Sequence, residues 1–176
     1  MPPGEALDSM PSTHLLEQTP IILEKLLHFA APDILQWKPA ADRWSISEVL
    51  AHIVDTEQMF LERARRMVEE ESPQLTEYDQ EAAYASGKYS TGTAKEHLRT
   101  FCHERDRALS MLRYLPASAL ARSGQHIVLG KISLSELLNE WAFHDLGHLR
   151  QIAELYRTAA FYPNCGPFQR YYNPKP

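Results

Sequence analysis

The sequence predicts an all-α fold, a four-helix bundle with a long crossover between its second and third helices. Three observations carry this. Four segments repeat apolar residues at three- and four-residue spacing, the signature of a helix with one buried face. Three of the four open on a Ser/Thr-x-x-Glu pattern that caps a helix start. No segment shows the strict apolar/polar alternation of a half-buried strand. The 176 residues fit one domain spanning the chain, with a tail at 161–176 rich in proline and aromatic residues.

The first helix covers roughly residues 12–30, with Ile22, Leu23, Leu26, Leu27 and Ala30 as its apolar face. Thr19-Pro20 reads as an N-cap followed by proline at the first helical position, so the continuous helix is expected to start there. Pro32 and Pro39 bracket a connector that contains Trp37. The second helix opens with a capping box, Ser45 and Glu48, with Trp44 and Val49 placed as a hydrophobic staple. Its stripe is Ile46, Val49, Ile53, Phe60, Ala64 and Met67, and it ends before Pro73. Residues 73–92 form the crossover, with a short helical piece around Asp79–Tyr84.

Thr93 and Glu96 cap the third helix, whose stripe is Leu98, Phe101, Ala108, Leu109 and Leu112 and which Pro116 stops. A loop with Gly124, His126 and Gly130 follows. Ser133 and Glu136 cap the fourth helix, with Ile132 and Leu137 as staple partners. Its stripe runs Leu134, Leu137, Trp141, His144, His148, Ile152, Leu155. The tail is not helical in pattern. Its aromatic residues favour docking over the bundle or a site rather than a loose end.

Composition narrows the function classes. A formal net charge of -5 argues against a nucleic-acid partner or an anionic membrane surface. The Arg63, Arg65, Arg66 cluster reads as a solvated helix face. No run of about 18 apolar residues is present, and the first residues lack a basic-then-apolar leader. Two cysteines without metal-motif spacing suit a disulfide-free cytoplasmic protein, with Cys102 as a small core residue and Cys165 exposed.

The residues that invite chemistry are His144 and His148. At four-residue spacing on a helix they point the same way, their Cβ atoms about 6 Å apart. Eight histidines in this chain would give roughly 0.3 such pairs by chance, so spacing alone decides little. Position adds weight, because both fall on the core stripe, where an imidazole needs hydrogen-bond partners or a metal. A polar core network and half of a metal site both remain open from this segment alone. His52, on the inner flank of the second helix, is the best third ligand. It lies roughly 10 Å into that helix, and His144 and His148 lie roughly 16 and 22 Å into theirs, depths that meet if the two helices are antiparallel or offset. His14, His28, His97, His103 and His126 read as surface or capping residues.

Two metal-enzyme patterns fail. Asp145 stands where a zinc protease carries its glutamate base, one methylene too short, and no downstream ligand motif completes such a site. Asp145-x-x-His148 is the only carboxylate-x-x-His present, whereas a dinuclear carboxylate bundle needs two such pairs and two further carboxylates.

Trp44-Ser-Ile-Ser-Glu-Val-Leu-Ala-His52-Ile-Val-Asp55-Thr-Glu57, taken with His144-Asp-Leu-Gly-His148-Leu-Arg-Gln151-Ile, resembles the DinB-like (DinB/YfiT-like) superfamily. The resemblance runs from about Thr19 to Tyr156. It implies a four-helix bundle, often a homodimer, that holds one divalent metal ion through His52, His144 and His148. Zn or Ni are the first candidates, with Fe or Mn as further options. Asp55, Glu57, Asp145 and Gln151 are candidates to orient the imidazoles, with a surface charge or helix-face hydrogen bond as the alternative for each. Family members with assigned activities include metal-dependent transferases that use low-molecular-weight thiols. The expectation is therefore a metal-dependent enzyme, a thiol transferase or a related hydrolase, acting on a small molecule. A non-catalytic bundle stabilised by its ion is the alternative.

Overall fold

The computed structural model describes residue 7 and residues 10–174. Met1–Glu5, read above for a leader, and the last two residues of the tail lie outside the described residues. The α-helices are α1 (Pro11–Leu27), α2 (Pro32–Gln36), α3 (Ile46–Glu69), α4 (Gln80–Ala85), α5 (Ala94–Arg113) and α6 (Leu134–Tyr156). The long ones, α1, α3, α5 and α6, make the bundle. The three capping boxes form as expected, at Ser45/Glu48, Thr93/Glu96 and Ser133/Glu136.

The four helices split into two parallel pairs. The first halves of α3 and α5 share one apolar cluster with the last halves of α1 and α6. The opposite halves share the other. So α3 and α5 run parallel, antiparallel to α1 and α6. Each of α1 and α3 packs on both α5 and α6. A parallel α3/α5 pair needs a connection that returns along the bundle, which is why the crossover is long.

Between the two clusters lies a polar layer. His52 and Glu57 from α3, Arg105 from α5 and Asp145 from α6 are all buried there. Arg105 donates to Glu57 through Nε and Nη2, both at 2.7 Å, and to Asp145 at 2.8 and 3.1 Å. It also donates to the Leu16 carbonyl of α1 at 2.7 Å. One guanidinium thus ties all four bundle helices together.

Several local expectations are corrected. α1 does not begin at Pro20 but runs unbroken from Pro11, with Pro20 inside it, and it ends at Leu27. Thr19 is not a cap; its hydroxyl donates back to the Leu15 carbonyl at 3.0 Å. Ile22 faces solvent, and Leu23 and Leu27 carry the buried face. The loop expected around Gly124 and Gly130 is a hairpin of β2 (Ser123–His126) and β3 (Gly130–Ser133). β1 (Gln74–Leu75) adds parallel to β2. These strands are too short for alternation to show in sequence. Gly124 is required there, since an added Cβ would lie 2.7 Å from the Leu75 side chain and 3.1 Å from the Pro73 carbonyl.

The arginine cluster also differs from its reading. Arg65 does pair at the surface, with Glu62 and Glu69. Arg66 also pairs with Glu70 there, but Arg63 and Arg66 in addition donate to the Thr76 and Gln74 carbonyls and so pin the β1 segment to α3. Cys102 is half-buried beside Glu24 rather than in the core, and burial pushes its thiol up to about 11. The tail leaves α6 through a wide π-type turn, Arg157–Phe161, and continues in 3-10 turns. Its aromatic residues Phe161, Phe168, Tyr171 and Tyr172 face solvent instead of docking. Among the described residues no helix is long and apolar enough to cross a membrane.

Candidate metal centre

The α3 capping box sets the rotation of the helix that presents His52. Glu48 N donates to Ser45 Oγ at 3.2 Å, and Ser45 N donates to Glu48 Oε2 at 2.8 Å. With Ile46, Val49 and Ile53 turned to the core, His52 turns inward on the second turn. Because α6 runs antiparallel to α3, the second turn of α3 meets the middle of α6. His144 and His148 arrive there from consecutive turns.

The three Nε2 atoms converge. His52 and His144 are 3.3 Å apart at Nε2, and His144 and His148 are 3.2 Å apart. The ligand atoms of all three lie within 4.8 Å of one another, and this is the one such group among the described residues. The remaining ring nitrogens are engaged elsewhere. His148 Nδ1 donates to Gln151 Oε1 at 2.9 Å, which leaves Nε2 as the lone-pair nitrogen. His52 Nδ1 faces the Tyr89 hydroxyl at 3.3 Å.

The donor set fits a cation. Burial holds His52 and His144 down at about 3, and it lowers His148 as well, each opposed or aided by neighbouring charges. The rings are therefore neutral across the physiological range. Neutral nitrogens with lone pairs turned toward one another lack enough protons to satisfy the group, and a shared cation does so. Two imidazole nitrogens on a tetrahedral ion at about 2.05 Å would sit roughly 3.3 Å apart, the spacing seen here.

The candidates for orienting the imidazoles separate into two groups. Gln151 contacts His148 directly. Asp55 acts one step removed, accepting from Tyr89 at 3.3 Å and from Tyr78 at 2.6 Å, with Lys88 paired against it. The Tyr78 and Tyr89 hydroxyls also bond to each other. Lys88 and Tyr78 together hold the Asp55 carboxyl below the usual carboxylate range, against its burial. Glu57 and Asp145 do something else: their hydrogen bonds go to Arg105 and, for Glu57, to Trp141 Nε1 at 2.9 Å. Burial pushes the Glu57 carboxyl upward against the pull of that guanidinium.

Reading the sequence missed Arg105, Tyr78 and Lys88, and the partnership of Tyr89 with His52. Arg105 had a signal, because it stands on the apolar stripe between Phe101 and Ala108 where a helix places a core residue. The crossover residues had none, since that segment has no periodicity. Trp44, read as a staple, also edges against His52 and stacks on Tyr84.

An open cleft of about 800 Å³ lies over α6, and His144 and His148 form part of its wall with Arg43, Gly147, Gln151 and Asn173. The model of the DinB superfamily matches residues 15–152. The chain belongs to the DinB superfamily. Among solved structures, a DinB-like protein of Bacillus subtilis, YfiT, matches with a TM-score of 0.75 at 23% identity, covering 82% of this chain and 83% of that one. YfiT is described as a probable metal-dependent hydrolase with an unusual four-helix bundle topology. The likeness establishes a shared four-helix-bundle fold. No curated protein matches this sequence.

Proposed function

We propose that this DinB-superfamily chain is a metal-dependent enzyme acting on a small molecule, with His52, His144 and His148 holding one divalent ion. The observation that carries the reading is that two of the three imidazoles also line an open cleft. A structural ion is commonly enclosed by four protein ligands, whereas a catalytic one has three and an accessible side. When bound, the ion supplies Lewis acidity and lowers the pKa of a water or thiol that reaches it. The description of YfiT favours transfer to water, that is, hydrolysis. The family resemblance favours transfer to a low-molecular-weight thiol.

The chain's own residues prepare the site. Gln151 fixes the tautomer of His148, and Tyr89, backed by Asp55, positions His52. Phe60 and Trp44 edge against His144 and His52 and keep water from the inner side. The Arg105 group anchors α6 beneath its two histidines through Asp145.

Metal analysis of protein purified without chelator tests the ligands. About one ion per chain is expected, lost in His52→Ala, His144→Ala and His148→Ala. Zn- and Ni-loaded samples are then assayed with a model ester and, separately, with a thiol plus an electrophile. Turnover in either assay that disappears on chelation supports the enzyme. Metal binding without turnover in both assays favours a non-catalytic bundle.

A further inference from the structure

The cleft over α6 carries one bare apolar ring in its wall. Phe143 lines it and is 74% exposed. The other aromatic rings around the imidazoles are packed: Phe60 stacks on Trp141, and Trp44 stacks on Tyr84. Phe143 has no ring against it among the described residues. Gly147 stands one turn further along α6, at the four-residue spacing from which a side chain would lie beside that ring. The glycine leaves the ring uncovered.

Nothing inside the protein asks for that glycine. Glycine is the costliest helix-interior residue after proline. Yet an added Cβ at Gly147 would meet no atom within 4 Å, and its φ is not positive. At about 3.6 residues per turn, Glu140, Gly147 and Glu154 form one line along the cleft side of α6, with His144 and His148 on one flank and Phe143 on the other. Gly147 is the gap in that line, between the ring and the imidazoles. Charge does not select what enters. Arginines and glutamates both line the cleft, Glu154 is paired with Arg157, and Arg43 has a partner of its own.

We propose that Gly147 and Phe143 form a slot for the apolar group of a neutral small-molecule substrate, laid on the Phe143 ring across Gly147 so that its reacting group meets His144 and His148. The catalytic meaning of the slot rests on the metal-dependent reading above, but apolar binding needs only the ring and the gap. A flat, ring-shaped group suits it, since such a group stacks or edges on a phenyl face within the width that one missing side chain leaves. Phe143 sets the apolar preference and Gly147 the size limit.

The test uses metal-free protein and two neutral amides that differ by a ring, benzamide and acetamide, with benzoate as the charged counterpart of the first. NMR follows the Gly147 amide and the Phe143 ring protons. Benzamide is expected to shift both saturably, benzoate about as well, and acetamide not at all. Phe143→Ser should weaken benzamide binding roughly three- to tenfold, the worth of one aromatic contact. Gly147→Leu should abolish it with the circular dichroism spectrum unchanged. No saturable shift with benzamide, acetamide binding as tightly, benzoate binding far more tightly, or full benzamide affinity in either variant overturns the proposal. So does sedimentation that shows a dimer which Phe143→Ser dissociates, because the ring then belongs to a contact with a second copy. Failure of the metal reading looks different: metal content indifferent to the three histidine substitutions, with the benzamide titration intact.

Discussion

Arg105 makes good the backbone hydrogen bond that Pro20 cannot. Proline has no N–H, so within α1 the Leu16 carbonyl lacks its partner four residues on, and the Arg105 guanidinium donates to it at 2.7 Å. A proline that looked like a helix start is instead the place where α1 opens a carbonyl to the centre of the bundle. The same guanidinium binds Glu57 and Asp145, so the helix defect and the buried charges are satisfied together.

Removing that cation should be severe. Arg105→Leu leaves the buried Asp145 carboxylate and the Leu16 carbonyl without that donor and Glu57 with Trp141 alone, a loss of about 3–5 kcal/mol at pH 7 in urea unfolding. Without the guanidinium, burial raises the Glu57 carboxyl further above its unfolded value. A group raised in the fold favours folding at low pH and opposes it as pH climbs. The deficit should therefore shrink between pH 7 and pH 5. A deficit constant with pH would show that the carboxylates find other donors.

The imidazoles set the opposite slope in wild-type, metal-free protein. His52 and His144 sit at about 3 in the fold, against about 6.5 for an unfolded chain. Below 6.5 the unfolded chain binds protons that the fold refuses, so stability is complete above that pH and is lost on acidification. The window from pH 6.5 to 5 lies above the ordinary carboxylate range, and the upward-pushed Glu57 carboxyl contributes there with the opposite sign, so the comparison with a histidine variant separates the two. Urea midpoints should fall across it, and a His52→Gln/His144→Gln double variant should flatten the fall. Parallel slopes for both proteins would show that the buried rings titrate freely.

Tyr89 and Asp55 should act on metal affinity. Tyr89→Phe removes the hydroxyl facing His52 Nδ1, and Asp55→Asn removes the charge behind it. Loss of such outer partners typically weakens metal binding about 10- to 100-fold. Competition titration with a chromophoric chelator measures it. Affinity within about twofold of wild type in both variants would leave the pair a purely structural role for the crossover.

The two glycines contrasted by their surroundings should respond with opposite sign. Gly124→Ala forces a Cβ against Leu75 and the Pro73 carbonyl and should cost about 1–3 kcal/mol. Gly147→Ala meets open space in a helix interior and should raise stability by about 0.5–1 kcal/mol. Thermal unfolding of the two variants side by side gives both signs in one experiment.

Much of this molecule is visible in its residues because its signals are local. The capping boxes at Ser45, Thr93 and Ser133 locate the starts of α3, α5 and α6 to the residue, since caps act within one turn, whereas α1, which has no such box, is placed only approximately. His144 and His148 face the same way for the same reason. Convergence of His52 with them depends on α3 and α6 running antiparallel at one offset, and that comes from packing. Pro20 misled because its local preference for a helix start yielded to a partner, Arg105, that lies 85 positions away in the chain. Asp145 and Glu57, one and five residues from a histidine, belong to the arginine rather than to the imidazoles. Periodicity tells which face a side chain is on, but the partner on that face is chosen by the helices packed against it. The Tyr78, Lys88 and Tyr89 contacts, made by an irregular crossover folded back on α3, come entirely from that long-range closure.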